Sequence, residues 1–129
     1  MNIPSKLQCT KTFTVTDKDT AISHGSGDLP VLATPAMIAF LENAAMHCVK
    51  KALPEDQTTV GTEIQVKHIR ATPVGGRIEA KAELTGMEEK KLLFSLEAYD
   101  KNGKIGFGAH TRYVVETSAF LKNIEKNQE

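Results

Sequence analysis

Residues 36–53, AMIAFLENAAMHCVKKAL, run without a Gly or Pro, and this segment constrains the fold more than any other. Thr34 stands where an N-cap belongs, and Pro35 falls in the first turn, where a missing N–H costs no hydrogen bond. Lys50 and Lys51 lie in the last turn, where the helix dipole favours cations, and Pro54 stops the run. Met37, Ile38, Phe40, Leu41, Ala44, Ala45, Cys48 and Val49 spread apolar surface around most of the circumference. A helix of that kind is expected to be embraced by other structure and to form the centre of the fold.

The rest of the chain reads as strands. Leu7 to Asp17, with Phe13 and Val15 among several Thr, suits an exposed or edge strand, and TAISHGSGDLP at 20–30 reads as a loop. Residues 60–69 alternate, with Thr62, Ile64, Val66 and His68 on one face, and ATPVGG then turns the chain. Residues 77–85 place Ile78, Ala80, Ala82 and Leu84 inward, and the next strand does the same with Leu92, Phe94, Leu96 and Ala98. KNGK at 101–104 is a hairpin turn. The last strand is expected to face inward through Ile105, Phe107, Ala109, Thr111, Tyr113 and Val115, leaving Gly106, Gly108 and His110 on the opposite face. A short amphipathic helix begins near Ser118. The expected layout is α+β: an antiparallel sheet of about five strands, four of them consecutive and joined by tight turns, wrapped on one long helix. Such a sheet leaves an edge and a face to cover, so self-association is expected.

Sixteen Lys and Arg balance sixteen Asp and Glu. That balance argues against an electrostatically driven nucleic-acid binder, which needs clustered positive charge. No stretch approaches the ~20 apolar residues that cross a bilayer, and MNIPSKLQCTKTF lacks the apolar stretch of a signal peptide, so no membrane association and a cytoplasmic location are expected. Cys9 and Cys48 have no CxxC spacing and are expected as free structural thiols. His24, His47, His68 and His110 share no close ligand spacing, so no metal site is expected. At 129 residues the chain is expected to form one domain, 1–129.

Three residues stand out chemically. Glu42 has Ile38, Ala39, Ala45 and Met46 as its helical neighbours, so it is expected to point to the buried side. There it would serve as a general base or position water, unless it escapes through a gap or pairs with a cation. His68 shares the face of Ile64 and Val66. An inward imidazole orients a carboxylate, donates to a substrate carbonyl, shuttles a proton, or is simply a satisfied core histidine. Thr34 is explained by capping, yet it stands beside the free N–H groups of Ala36 and Met37, which suit a developing oxyanion. Thr34 and Glu42 are about 80° apart around the helix and ~12 Å along it, so they would line one groove without touching. His47 is expected at the wet margin, and Asp100 in a turn on conformational grounds alone.

VLATPAMIAFLENAAMHCV, VGTEIQVKHIRATPVGGRI and GKIGFGAHTRYVV together resemble the fluoroacetyl-CoA thioesterase-like family, a branch of the hotdog-fold superfamily. The distinctive part is A-T-P at 33–35, the helix Glu at 42, and H-x-x-A-T-P at 68–73. The resemblance implies a homodimer of hotdog subunits that hydrolyses a small acyl-CoA near the dimer interface, with no cofactor beyond the CoA of the substrate. It also implies that Thr34, Glu42 and His68 are catalytic, and that Gly61 lies beside the thioester. The phenylalanines that precede the Thr in the fluoroacetyl-specific enzyme of that family have no counterpart here, where GDLPVLAT offers Leu29 and Val31. The alternative function is a non-catalytic acyl-CoA binding protein of the same fold.

Overall fold

The computed structural model describes residues 3–128; residues 1, 2 and 129 of the expected domain lie outside the described residues. Strand β1 (Gln8–Thr14) leads through a 3-10 turn (Asp17–Asp19) and a short helix α1 (Ala21–His24) to the long helix α2 (Thr34–Lys50). Strands β2 (Gln57–His68), β3 (Arg77–Glu88), β4 (Lys91–Asp100) and β5 (Gly103–Glu116) follow, and then helix α3 (Thr117–Asn127). The five strands form one antiparallel sheet in the order β1-β3-β4-β5-β2.

The sheet wraps α2 as the sequence leads one to expect. Met37, Leu41, Ala44, Ala45 and Val49 are fully buried against the inner rows Ile78 to Leu84 of β3 and Leu92 to Ala98 of β4. Alanines at Ala44, Ala45, Ala80, Ala82 and Ala98 keep the two layers close, while Phe94 and Leu96 fill the volume between them. Each such large side chain stabilises the fold by ~1.5–3 kcal/mol through burial. Phe13 of β1 stacks on Phe40 of α2 with ring centroids 4.3 Å apart, anchoring the far edge of the sheet.

Four expectations are corrected. The segment 20–30 is not all loop: Thr20 accepts from the Ser23 N–H and caps α1, and Gly25 ends it at φ 68. Cys9 and Cys48 are not free thiols but form a disulfide joining β1 to α2. Both face the same interior seam with Cα atoms 5.4 Å apart, a juxtaposition of β1 and α2 that spacing along the chain does not reveal.

The third correction concerns ATPVGG, which does not fold β2 back onto β3. β2 lies at the outer edge beside β5, and residues 69–76 form a strap that crosses the end of the sheet to reach β3. The strap is held by the Leu32 N–H to the Thr72 carbonyl (2.8 Å) and the Gly75 N–H to the Val15 carbonyl (2.8 Å). Its anchor is Asp100, whose carboxylate accepts from Arg70 Nη2 (2.7 Å), Thr72 Oγ1 (2.8 Å) and the Asn102 N–H (2.8 Å). Burial alone would raise the Asp100 pKa, but these three donors outweigh it and hold the carboxyl below its ordinary value. Asp100 therefore does more than shape a turn. Asp100→Ala leaves the buried Thr72 hydroxyl and Arg70 Nη2 without their acceptor, Arg70 Nη1 keeping the Asn102 carbonyl, and is expected to cost about 2–3 kcal/mol in denaturant unfolding. A loss under about 0.5 kcal/mol, the range of ordinary surface changes, would contradict that role.

The fourth correction is to β5, which beyond Ile105, buried as expected, presents the opposite face from the one expected. Directly opposed residues of an antiparallel pair share a face. The inner row of β4 stands opposite Gly106, Gly108, His110 and Arg112, so these point toward α2, and Phe107 and Tyr113 lie exposed on the outer side. The cause is a register shift at Ala98/Tyr99, where Ile105 enters β5 as an extra residue and reverses the alternation beyond it.

Candidate active site on the α2–β2 seam

Thr34 is not the N-cap of α2. Ala33 holds that position, with its carbonyl accepting from the Met37 N–H, and Thr34 is the first helical residue. Its hydroxyl is therefore free to bond His68 Nδ1 at 2.8 Å. His68 reaches it from the end of β2, where His68 pairs with Gly106 and the Ile69 N–H donates to the Ile105 carbonyl. His68 is half-buried, and its Nε2 has no partner among the described residues. Burial pushes its pKa below the ordinary 6.5, opposed in part by the Arg70 backbone. Thr34 and His68 line an open cleft of about 360 Å³ with Ser26, Val31, Ile69 and Arg70.

Two turns further along α2, Glu42 meets a second group of residues. Its carboxylate is 38% exposed in place of the burial expected, and Oε2 lies 3.9 Å from Arg112 Nη1. A Cβ on Gly61 would stand 2.8 Å from that same oxygen, so the bare glycine backbone is what lets β2 pass the carboxylate. Arg112 is nearly buried, with Nε donating to Thr59 Oγ1 (2.8 Å) and Nη2 to the Thr59 carbonyl (2.9 Å). Burial pulls its pKa down and the Glu42 carboxylate pushes it back up. His110 completes the group: Nδ1 bonds the Glu63 carbonyl (2.8 Å) and Nε2 faces Arg112 Nη1 (3.1 Å). An accessible carboxylate next to a fixed cation, above a glycine that leaves room for a substrate, is an arrangement that can attack or activate water at a carbonyl.

The family model for the fluoroacetyl-CoA-specific thioesterase FlK matches residues 15–118, which include every residue of both groups. The chain belongs to the fluoroacetyl-CoA-specific thioesterase family. It is 33% identical over 96 residues to the fluoroacetyl-CoA thioesterase of Streptantibioticus cattleyicolor, spanning 74% of this chain and 69% of that one. The fold is similar to that of a threonine-to-serine mutant of FlK in complex with acetyl-CoA, at TM-score 0.92 and 25% identity over 98% of this chain and 100% of that one. A hot-dog-like protein from Thermanaerovibrio acidaminovorans has the same fold at TM-score 0.87 and 20% identity, over 96% and 92% of the two chains.

As a member of this thioesterase family the chain is a hotdog-fold thioester hydrolase. Of the residues the sequence singles out, the fold pairs Thr34 with His68 and places Glu42 against Gly61. It does not join the two pairs within one chain, which agrees with the ~12 Å rise of eight helical residues. His47 is exposed as expected and bonds the Asn43 carbonyl in its own helix. Arg112 and His110 are the residues that sequence reasoning missed. Their signal is present in the alternation of β5 and becomes readable once the extra residue Ile105 is allowed for.

Both site histidines have pKa values lowered mainly by burial, and this makes stability depend on pH. Between the folded value and the ordinary 6.5, the unfolded chain binds protons that the folded protein refuses. Stability is then complete above about pH 6.5 and declines as the pH falls through the lower folded values. Melting temperatures measured from pH 8 to 5 are expected to be level above neutrality and to fall below it. A rise on acidification between about pH 6.5 and 5.5 would contradict the burial of both rings in neutral form.

Proposed function

We propose that this enzyme hydrolyses a short acyl-CoA to the free acid and CoA, with Glu42, His68 and Thr34 as catalytic residues and Gly61 beside the bound thioester. The observation that carries the reading is the Glu42 carboxylate standing over side-chain-free Gly61 next to the fixed Arg112 cation. Glu42 supplies the carboxylate that activates water or attacks the thioester carbonyl. His68 donates to the carbonyl oxygen or moves the proton, and Thr34 relays through its hydrogen bond to His68. The chemistry needs no cofactor beyond the CoA that the substrate carries.

The working unit is a homodimer in this reading. β2 is an edge strand of 12 residues, and among the described residues nothing pairs with its outer side. Antiparallel pairing of β2 with its copy, about a two-fold axis near mid-strand, would bring the Thr34–His68 pair of one subunit toward Gly61 of the partner subunit. That would close the ~12 Å gap left within one chain. Among the described residues no helix is long and apolar enough to cross a membrane, and the proposed setting is the cytoplasm. There the Cys9–Cys48 bond stands against a reducing thiol pool.

The segment before Thr34 offers Leu29 and Val31 and no counterpart of the phenylalanines that precede the Thr in the fluoroacetyl-specific enzyme, which favours unsubstituted short acyl groups over fluoroacetyl selectivity. The test is turnover of acetyl-CoA and propionyl-CoA by the wild type and by His68→Ala. The substitution is expected to lower kcat/KM by on the order of 100-fold or more with the melting temperature retained. Unchanged turnover by a folded His68→Ala enzyme would remove His68 from the mechanism.

A further inference from the structure

We infer that His110 is a positioning residue of the thioester site: as a neutral hydrogen-bond acceptor it holds Arg112 Nη1 turned toward the Glu42 carboxylate. The inference rests on the reading of Glu42 as the reacting carboxylate. His110 is almost wholly enclosed, its side chain 1% exposed. The Glu63 main-chain carbonyl, 2.8 Å from Nδ1, can only accept, so the ring proton sits on Nδ1 and Nε2 keeps its lone pair. Arg112 can only donate, and its Nη1 stands 3.1 Å from that lone pair. Both neighbours therefore require the same neutral tautomer. The 3.9 Å approach of His110 Nε2 to Glu42 Oε2 is accordingly not an ion pair.

The groups facing the ring are few. Glu42 reaches it from α2, Arg112 from its own strand, the Glu63 carbonyl from β2, and the uncharged Phe94 ring from β4 at a centroid distance of 6.3 Å. Burial lowers the His110 pKa, the Arg112 charge adds to this, and the Glu63 and Glu42 contacts oppose it; the net result is a ring kept neutral. A second proton would set two donors against each other at Nη1 and release the guanidinium from that side. With Thr59 holding Nε and Nη2, the His110 contact is what fixes the remaining nitrogen next to Glu42. Leucine at this position fills the volume but accepts nothing, whereas glutamine places an amide oxygen near the position of Nε2.

The test compares kcat and KM of the wild type, His110→Leu, His110→Gln and Glu42→Gln with the short acyl-CoA that the wild type turns over fastest. His110→Leu is expected to lower kcat on the order of 100-fold while KM moves less than about threefold, and His110→Gln to recover to within about tenfold of the wild type. A folded His110→Leu enzyme with wild-type kcat overturns the inference, as do equal losses in the Leu and Gln variants, which would mark a purely structural residue. An inactive wild type would instead fail the thioesterase reading itself, and an active Glu42→Gln would fail the reading of Glu42 as the reacting carboxylate, and either would take this inference with it. Should His110→Leu not fold, nitrogen NMR of the wild-type protein labelled with ¹⁵N-histidine decides. A proton on Nδ1 with bare Nε2 at pH 7 is the expected result, and a proton on Nε2 or a charged ring overturns the proposal.

Discussion

Glu42→Gln is expected to lower kcat/KM by about 10³-fold while leaving the fold in place, because it removes the group whose charge and basicity the proposed mechanism uses. Glutamine keeps the shape of the side chain but can neither take a proton from water nor attack a thioester carbonyl, so both routes open to a carboxylate are lost. The stability cost is expected to stay under about 1 kcal/mol, since the carboxylate is 38% exposed and its 3.9 Å approach to Arg112 is not a hydrogen bond. Arg112 keeps its bonds to Thr59 and His110 in the variant, so its burial is not left unpaired. Kinetics and a thermal melt on the same preparation separate these effects. An unchanged rate would show that the carboxylate is a bystander, and a collapsed melt would show that it is structural.

Gly108→Ala is expected to have the largest effect on stability, about 3 kcal/mol or more, and to take activity with it. Gly108 pairs with Val66 across the β2–β5 ladder. A Cβ there would collide with the Gln65 carbonyl and stand 2.7 Å from Val66 Cα. Backbone cannot rotate aside as a side chain can, so β2 would have to leave β5. That strand carries Gly61 near its middle and His68 at its end, and displacing it separates both from α2. Denaturant unfolding measures the loss directly. A variant as stable as the wild type would mean that β2 and β5 do not approach as closely at Gly108 as the ladder places them.

Two of the three register shifts in the sheet, at Ala98/Tyr99 and Gly61/Glu63, explain which parts of the molecule could be read from sequence and which could not. The helix was legible because capping chemistry, an unbroken apolar run and a terminating proline all agree between 34 and 54. The inner rows of β3 and β4 were legible because apolar and polar residues alternate cleanly there. In β5 the hairpin pairs Asp100 with Gly103 and Tyr99 with Lys104, and a regular ladder would then pair Ala98 with Ile105 and turn the odd-numbered row inward. The extra residue moves that pairing to Gly106 and exchanges the two faces. Nothing local announces this, because Ile105 and Phe107 are apolar while the true inner row consists of two glycines, a histidine and an arginine. The shift between Gly61 and Glu63 acts likewise in β2: Ile64, Val66 and His68 keep their expected face, while Thr62 is displaced to the exposed side.

The candidate site was legible as residues but not as an arrangement. Glu42 and His68 were visible as polar groups in apolar patterns, and Thr34 through its place at a helix start. The cation beside Glu42 was not visible, because Arg112 belongs to the strand whose face the bulge reverses. The sequence alone leaves the Thr34 hydroxyl open between capping and chemistry, and only the fold shows that Ala33 caps α2 and leaves that hydroxyl to His68. The Asp100 anchor was hidden for a related reason. A strap crossing two strands to reach its partner has the same local sequence as a tight turn, and only the strand order tells them apart.

The most direct measurement is release of free CoA thiol from a panel of short and medium acyl-CoAs by the wild-type protein, with melting temperatures recorded in the same solutions. The account predicts thiol release that saturates with substrate and is greatest for the short acyl groups. Silence across the whole panel, together with a rise in melting temperature as the CoA ester is added, would contradict it and identify a binding protein that has kept the fold without the reaction.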